Sequence, residues 1–364
     1  TVPSSDPFTS PPSPRTVSRV SPEWHPRCPR ESRLHHVFAA TPFSIPSPTP
    51  DWRQITIPVG EWLGVFGIES DFSLRITTYA LVIMVGIAFA VIIANQRLTS
   101  RGAEPWVIVD VTIWAVLFGL VGARFYHVIT HPDDFFGEGR NTWDITQPNS
   151  VWALWDGGGA IFGALIFGAL GVWIGCRIVG LCFWSVADAI APGLLLAQAF
   201  GRLGNYINQE IFGLPTDIPW GLQIDRPNAA IPAGIPADAL FHPTFLYEMI
   251  WNLVGFALIM FVITKFPTFW QWGKVLGLYL VWYGVGRTWL ESIRLDPSET
   301  FLGIRSNVWT ALAAIVLGLV ILYVQTRRHT GSEPSPHQAG REPERLIAVH
   351  SEDTYSEYDE SGDV

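Results

Sequence analysis

The sequence predicts an all-α, polytopic membrane helix bundle, and three observations carry that expectation. Of 364 residues, 49% are hydrophobic and only 15% are charged, against about 25% charged in an ordinary soluble domain. Apolar runs of roughly 20 residues, the length a helix needs to cross a bilayer, recur seven times along the chain. Lysines and arginines gather in alternate connections between those runs, the bias that marks the cytoplasmic side. The same composition excludes other classes. An unstructured chain lacks this much apolar surface. Cys28, Cys176 and Cys182 show no disulfide-framework spacing. A net charge of −9 leaves no basic footprint for nucleic acid.

The elements follow in order. Residues 1–55 are Pro/Ser-rich with scattered arginines, a composition that cannot bury a core. They read as a disordered extension without a signal peptide, since no apolar stretch follows the basic residues. Thr1 in place of Met admits a displaced start site as the alternative reading. A chain starting near Trp52 is expected to keep its activity. Residues 56–328 read as a seven-helix transmembrane domain. Its spans are Ile76–Asn95, Trp106–Ile129, Gly158–Gly180, Leu181–Phe200, Phe245–Thr264, Lys274–Ile293 and Asn307–Gln325. The fourth carries Asp188 and Pro192 and is the least regular of them. Asp188 needs a partner, and an arginine on a neighbouring helix suits it. Gly159 with Gly163, and Gly171 with Gly175, form two G-x-x-x-G pairs that predict close helix packing. If the spans alternate, Arg97, Arg101, Arg177, Lys265, Lys274, Arg327 and Arg328 share one side. The N-terminus then lies outside and the C-terminus in the cytoplasm. Residues 329–364 read as a disordered cytoplasmic tail; from Gly331 onward it holds nine acidic residues against two arginines.

A polar group inside a span costs about 2.5–3.5 kcal/mol on insertion scales, so each one needs a reason. Five segments qualify. Gly201-Arg-Leu-Gly-Asn-Tyr-Ile-Asn-Gln-Glu-Ile-Phe-Gly213 begins where the fourth span is expected to end. Its glycines allow the backbone to turn and present N–H groups. Arg202, Asn205, Asn208 and Glu210 suit an anionic headgroup bearing hydroxyls. The plainer reading is an interface loop whose Arg202 snorkels to lipid phosphate. Tyr283, Arg287, Glu291 and Arg294 recur at helical spacing and line one face, which also predicts an ion-pair ladder of Arg287 and Arg294 on Glu291. His242-Pro-Thr-Phe-Leu-Tyr-Glu248 enters the fifth span. His242 is either a proton acceptor or part of a helix start, with Pro243 in the first turn and Glu248 near the positive dipole end. Arg124, near Tyr126 and His127, is a phosphate ligand or an interface anchor. Trp155-Asp-Gly-Gly-Gly159 opens the third span, with Asp156 as a cap. No zinc spacing, nucleophile elbow or phosphate loop occurs, so no metal or cofactor is expected. Together these groups predict a cationic, amide-rich site for an anionic lipid in the outer half of the membrane. The class without chemistry, a lipid-binding protein or lipid transporter, fits the same groups. An intramembrane protease finds no serine–histidine or paired-aspartate support.

Residues 201–213 resemble the hallmark segment of the phosphatidylglycerol–prolipoprotein diacylglyceryl transferases. The Trp155 run, the His242 run and the Tyr283-x-x-x-Arg-x-x-x-Glu-x-x-Arg pattern follow in that family's order. The resemblance covers Asp71 to Arg328. It implies a seven-helix enzyme of the bacterial plasma membrane, with its site towards the outer leaflet. Such an enzyme moves a diacylglyceryl group from phosphatidylglycerol to the lipobox cysteine of a prolipoprotein, forming a thioether and releasing glycerol 1-phosphate. It also implies essential roles for Arg202 and Arg287, hallmark positions at Asn205, Asn208, Glu210 and Gly213, and matching tyrosines at Tyr79 and Tyr283. Substrate-binding roles extend to Arg124, Glu291 and Arg294, and His242, Glu210 and Glu291 are the candidate proton acceptors. Two positions depart from the family. Phe162 stands where some members carry a histidine base, which leaves that role without a matching residue here. His127 stands where many have tyrosine.

Overall fold

The computed structural model describes residues 43–59, 62, 73–137, 142–144, 150–153, 160–296 and 300–342. Residues 154–159, and with them Asp156 and Gly159, lie outside the described residues, as do 1–42 and 343–364. Seven long helices appear among the described residues: α1 Thr78–Thr99, α2 Val107–Thr130, α3 Ile161–Val179, α4 Phe183–Asn208, α5 Thr244–Lys265, α6 Lys274–Glu291 and α7 Ser306–Arg328. Three two-stranded antiparallel ribbons accompany them, one before α1 and two in the connections. These are β1 Gln54–Ile57 with β2 Leu74–Thr77, β3 Pro215–Thr216 with β4 Leu240–Phe241, and β5 Thr300–Phe301 with β6 Ile304–Arg305. Six of the helices are long and apolar enough to cross a membrane; α6 falls short. It has 18 residues and carries Lys274, Arg287 and Glu291.

Helix ends follow local chemistry. The Thr77 hydroxyl accepts from the Ala80 N–H and opens α1. Gly180, at φ 79°, ends α3 in the left-handed conformation. α4 differs most from its expected bounds. It runs through Phe200 to Asn208, so Gly201 and Gly204 are helical rather than turn residues. Within a membrane protein the backbone keeps its internal hydrogen bonds wherever it can. Asp188, fully buried in α4, takes hydrogen bonds from the N–H groups of Gly273 at 2.7 Å and Leu276 at 3.0 Å. Its hydrogen-bond partner is therefore the start of α6, whose free N–H groups and positive dipole end stabilise a carboxylate. Arg97 and Arg101 supply nearby positive charge.

Packing uses the small residues. A Cβ on Gly163 would stand 2.1 Å from the Gly122 carbonyl oxygen, so α2 and α3 touch backbone to backbone there. α4 is the central helix, packed on α1, α5 and α6, while α6 also carries α7.

Both ends of the bundle hold more structure than the boundaries at 55 and 328 imply. Ile45 pairs through its main chain with Gly221 and Gln223, each at 2.9 Å. Tyr206 Oη donates to the Pro46 carbonyl at 2.8 Å. At the other end, Cys182 N–H donates to the Pro336 carbonyl, and Gln338 N–H to that of Gly180, both at 2.8 Å. The Trp272 and His329 rings stack at 4.1 Å.

Candidate functional site

The site grows from the C-terminal end of α4. Arg202 and Asn205 lie one turn apart, and Arg202 Nη1 donates to Asn205 Oδ1 at 3.0 Å. The chain then reverses through Gln209 at φ 54° and Ile211 at φ 56°, two side-chain-bearing residues in the left-handed region. That region costs about 1–2 kcal/mol for residues other than glycine, and local bonds offset it. Gln209 Oε1 accepts from the Asp225 N–H at 2.7 Å, and Gln209 Nε2 donates to Asp225 Oδ2 at 2.6 Å. The reversal folds Glu210 back onto the helix end, where its Oε1 accepts from Asn205 at 2.9 Å and Asn208 at 3.4 Å. The turn the glycines suggested thus exists eight residues later than expected and without glycine.

Gly213 follows at a crowded point. Its N–H donates to the His242 carbonyl at 2.9 Å, and it bridges to Arg294. A Cβ there would stand 2.6 Å from that of His242 and 2.8 Å from the Ile293 carbonyl. Gly213 therefore joins the three site segments through their backbones. His242 is half-buried, and its Nδ1 lies 3.1 Å from Tyr247 Oη. Pro243 is the N-cap of α5 rather than a first-turn residue.

Glu248 is the residue whose part sequence reasoning missed. A helix-start reading places it near a dipole; the structure places it one turn inside α5, 5% exposed, between two arginines from other helices. Its Oε2 is 2.5 Å from Arg202 Nε, and its Oε1 is 3.7 Å from Arg287 Nη1. The signal lies in the sequence: a carboxylate inside an apolar span needs a cation.

The expected ladder is present and longer than spacing alone suggests. Arg287 Nη2 lies 3.1 Å from Glu291 Oε2, and Arg294 Nη1 lies 3.3 Å from the same oxygen. Helix α6 ends at Glu291, so Arg294 pairs from the turn beyond it. Glu291 Oε1 takes Arg305 at 3.4 Å, from the end of β6, and Asn307 at 3.1 Å, from the first turn of α7. Asp296 binds Arg294 in two-pronged fashion at 2.6 and 2.8 Å. Burial lowers the Arg294 guanidinium, yet Asp296 and Glu291 together hold it above its ordinary value. Arg202, Glu248, Arg287, Glu291 and Arg294 thus form one chain of alternating charge, in which Glu248, Glu291 and Arg294 are buried and Arg202 and Arg287 half-buried. Tyr283 lies one turn deeper on α6, its ring 6.2 Å from that of Tyr279. The Tyr79 ring lies against the backbone of Gly204, two residues on from Arg202 in α4.

Arg124 stands apart from this chain. Its Nε and Nη2 donate to the carbonyls of Val151 and Ser150 at 2.9 and 2.6 Å, and its guanidinium lies 4.8 Å over the Phe135 ring. It clasps a connecting loop. Phe162 packs on Tyr126, ring centres 6.1 Å apart.

Apolar helices around an arginine–carboxylate chain at the end of α4 define a multi-span helical membrane protein with a charged polar site. The chain belongs to the prolipoprotein diacylglyceryl transferase family, whose sequence model matches residues 67–324. It is 57% identical over 300 residues to a phosphatidylglycerol–prolipoprotein diacylglyceryl transferase of Leifsonia xyli, covering 82% of this chain and 86% of the relative. A Streptomyces coelicolor enzyme of that name is 46% identical over 255 residues, covering 70% of this chain and 77% of the relative. One from Bifidobacterium adolescentis is 44% identical over 266 residues, with the same two shares.

Proposed function

We propose that this chain transfers the diacylglyceryl group of phosphatidylglycerol to the lipobox cysteine thiol of prolipoproteins. One observation carries the mechanism: Arg202 of α4 and Arg287 of α6 meet on a single buried carboxylate. Two guanidiniums brought that close can grip one phosphodiester. In the reaction the cysteine sulfur attacks the glycerol carbon. The bond from that carbon to the phosphate oxygen breaks, and its electron pair leaves on glycerol 1-phosphate. Charge grows on the phosphate as it departs, so fixed guanidiniums stabilise the transition state more than the ground state. Neighbouring ion pairs hold their forks in place before substrate arrives. Asn205 and Asn208 face the same end and suit the headgroup hydroxyls.

The thiol must lose its proton, and its ordinary pKa is near 8.5. The clamp's positive field favours the thiolate. Glu291, with contacts on both oxygens, serves as a strut. Glu210, exposed beside Asn205, and His242, half-buried beside Gly213, flank the clamp as proton acceptors.

In the membrane, α6 makes the seventh crossing, its charged residues satisfied by the site and by α7. The Lys/Arg bias then puts the C-terminus in the cytoplasm and the site towards the outer leaflet of the bacterial plasma membrane. Arg124 supports the outer surface by holding its loop. The test mixes purified protein, phosphatidylglycerol and a lipobox peptide. A diacylglyceryl mass increment on the cysteine supports the reading, and lipid binding with an unchanged peptide refutes it.

A further inference from the structure

We propose that Glu248 is a built-in competing anion: it occupies the arginine clamp in the empty enzyme and expels the phosphate product. The proposal rests on the transfer reading above. Glu248 acts on substrate only through Arg202 and Arg287, as a positioning residue.

Its two oxygens are held unequally. Oε2 is tight on Arg202 Nε at 2.5 Å, whereas Oε1 stands 3.7 Å from Arg287 Nη1. Oε1 is buried and has no hydrogen-bond partner, the only carboxylate oxygen in that position among the described residues. Its side chain is 6% exposed. The neighbouring acids differ. Glu291 has contacts on both oxygens, and Asp296 is held by both prongs of Arg294. Glu248 is thus anchored to one arginine and loosely set on the other. An arriving phosphate oxygen can take Arg287 by displacing a long contact, while Arg202 stays aligned.

The chemistry explains why such a group is needed. The donor phosphodiester carries one negative charge. Once the carbon–oxygen bond breaks, the product is a phosphate monoester, whose second pKa near 6 gives it a charge of about −1.5 to −2 at neutral pH. A clamp that stabilises the departing phosphate therefore binds product more tightly than substrate. Glu248 is tethered beside the clamp, so it competes at an effective concentration that no free anion matches. Return of Oε1 to Arg287 lifts the product off one arginine and lets it leave.

The experiment compares the full-length wild-type enzyme with Glu248→Gln and Glu248→Asp. Binding of glycerol 1-phosphate is measured by calorimetry, and first-turnover and steady-state transfer are measured separately. Glutamine keeps the shape and removes the competing charge. We expect Glu248→Gln to bind glycerol 1-phosphate about tenfold more tightly. It should complete a first turnover and then slow, giving a burst that wild type lacks. A merely structural role predicts weaker binding and no burst, and either unchanged or weakened binding overturns the proposal. Should Glu248→Gln not accumulate, Glu248→Asp decides. Aspartate draws the carboxylate back from Arg287, so product should bind tighter by a smaller factor; equal or weaker binding overturns the proposal. Absence of transfer by wild type refutes the transfer reading, and the binding comparison still judges Glu248.

Discussion

Replacing Arg287 with alanine is the most informative perturbation of the clamp. Its guanidinium lies between Glu248 and Glu291, which are 5% and 1% exposed. Two effects follow, and they can be measured apart. Glu248 Oε1 loses the only cation paired with it among the described residues, while Glu291 keeps Arg294, Arg305 and Asn307. Removing one partner of a buried ion pair costs about 3–5 kcal/mol of stability. Arg202 still neutralises Glu248 at 2.5 Å, so the lower end of that range applies. Catalysis loses a comparable amount. Removing one fixed donor from a growing anion lowers kcat by about 10²–10³, equivalent to about 2.7–4 kcal/mol. Arg287→Lys separates the effects, because it keeps the charge and loses the fork. Thermal unfolding in detergent and peptide lipidation are the two assays. Both variants should insert into membranes, with Lys the more stable, and both should lose at least a hundredfold in transfer. Wild-type turnover in purified Arg287→Ala would refute the phosphate clamp.

Further outcomes follow from the same geometry. His242→Gln should slow transfer without abolishing it, because Glu210 remains beside Asn205; a pH–rate profile that loses its rise near neutrality would instead make His242 the base. A chain beginning at Trp52 should melt at a lower temperature than one beginning at Pro42. The shorter chain loses the Ile45 main-chain pair and the Pro46 and Pro48 carbonyls that receive Tyr206 and Gln209; equal melting would show that this segment contributes nothing. Ser47 and Gln209 donate to Asp225 and hold its carboxyl below the ordinary range. Its contribution is present above the unfolded value near 3.9 and is lost as pH falls through the lower folded value. Unfolding of wild type and Asp225→Asn should therefore differ at neutral pH and converge in acid; a constant gap would exclude the linkage.

The fold was legible wherever burial demands a long apolar run. α1, α2, α5 and α7 lie within a few residues of their expected bounds, because hydrocarbon length sets helix length. α4 ran on because glycine only weakens a helix, by about 1 kcal/mol relative to alanine, and tight packing outweighs that. The Arg287–Glu291–Arg294 ladder was visible because helical spacing makes its members neighbours. Glu248 was not assigned its arginines, and Asp188 was assigned a neighbouring arginine but not the Gly273 and Leu276 N–H groups that bind it. Both meet groups far away in the chain, 46 residues back to Arg202 and 85 residues on to Gly273, and no local period encodes such a meeting. The main-chain pairing at Ile45 was hidden for another reason. Its bonds are made by main-chain atoms, which every residue carries, within a Pro/Ser-rich composition that resembles linker.

The most direct measurement is a structure of the enzyme with phosphatidylglycerol bound. The lipid phosphorus should lie between the guanidiniums of Arg202 and Arg287, with Glu248 Oε1 moved off Arg287. A phosphate bound elsewhere, with both arginines still on Glu248, would contradict it.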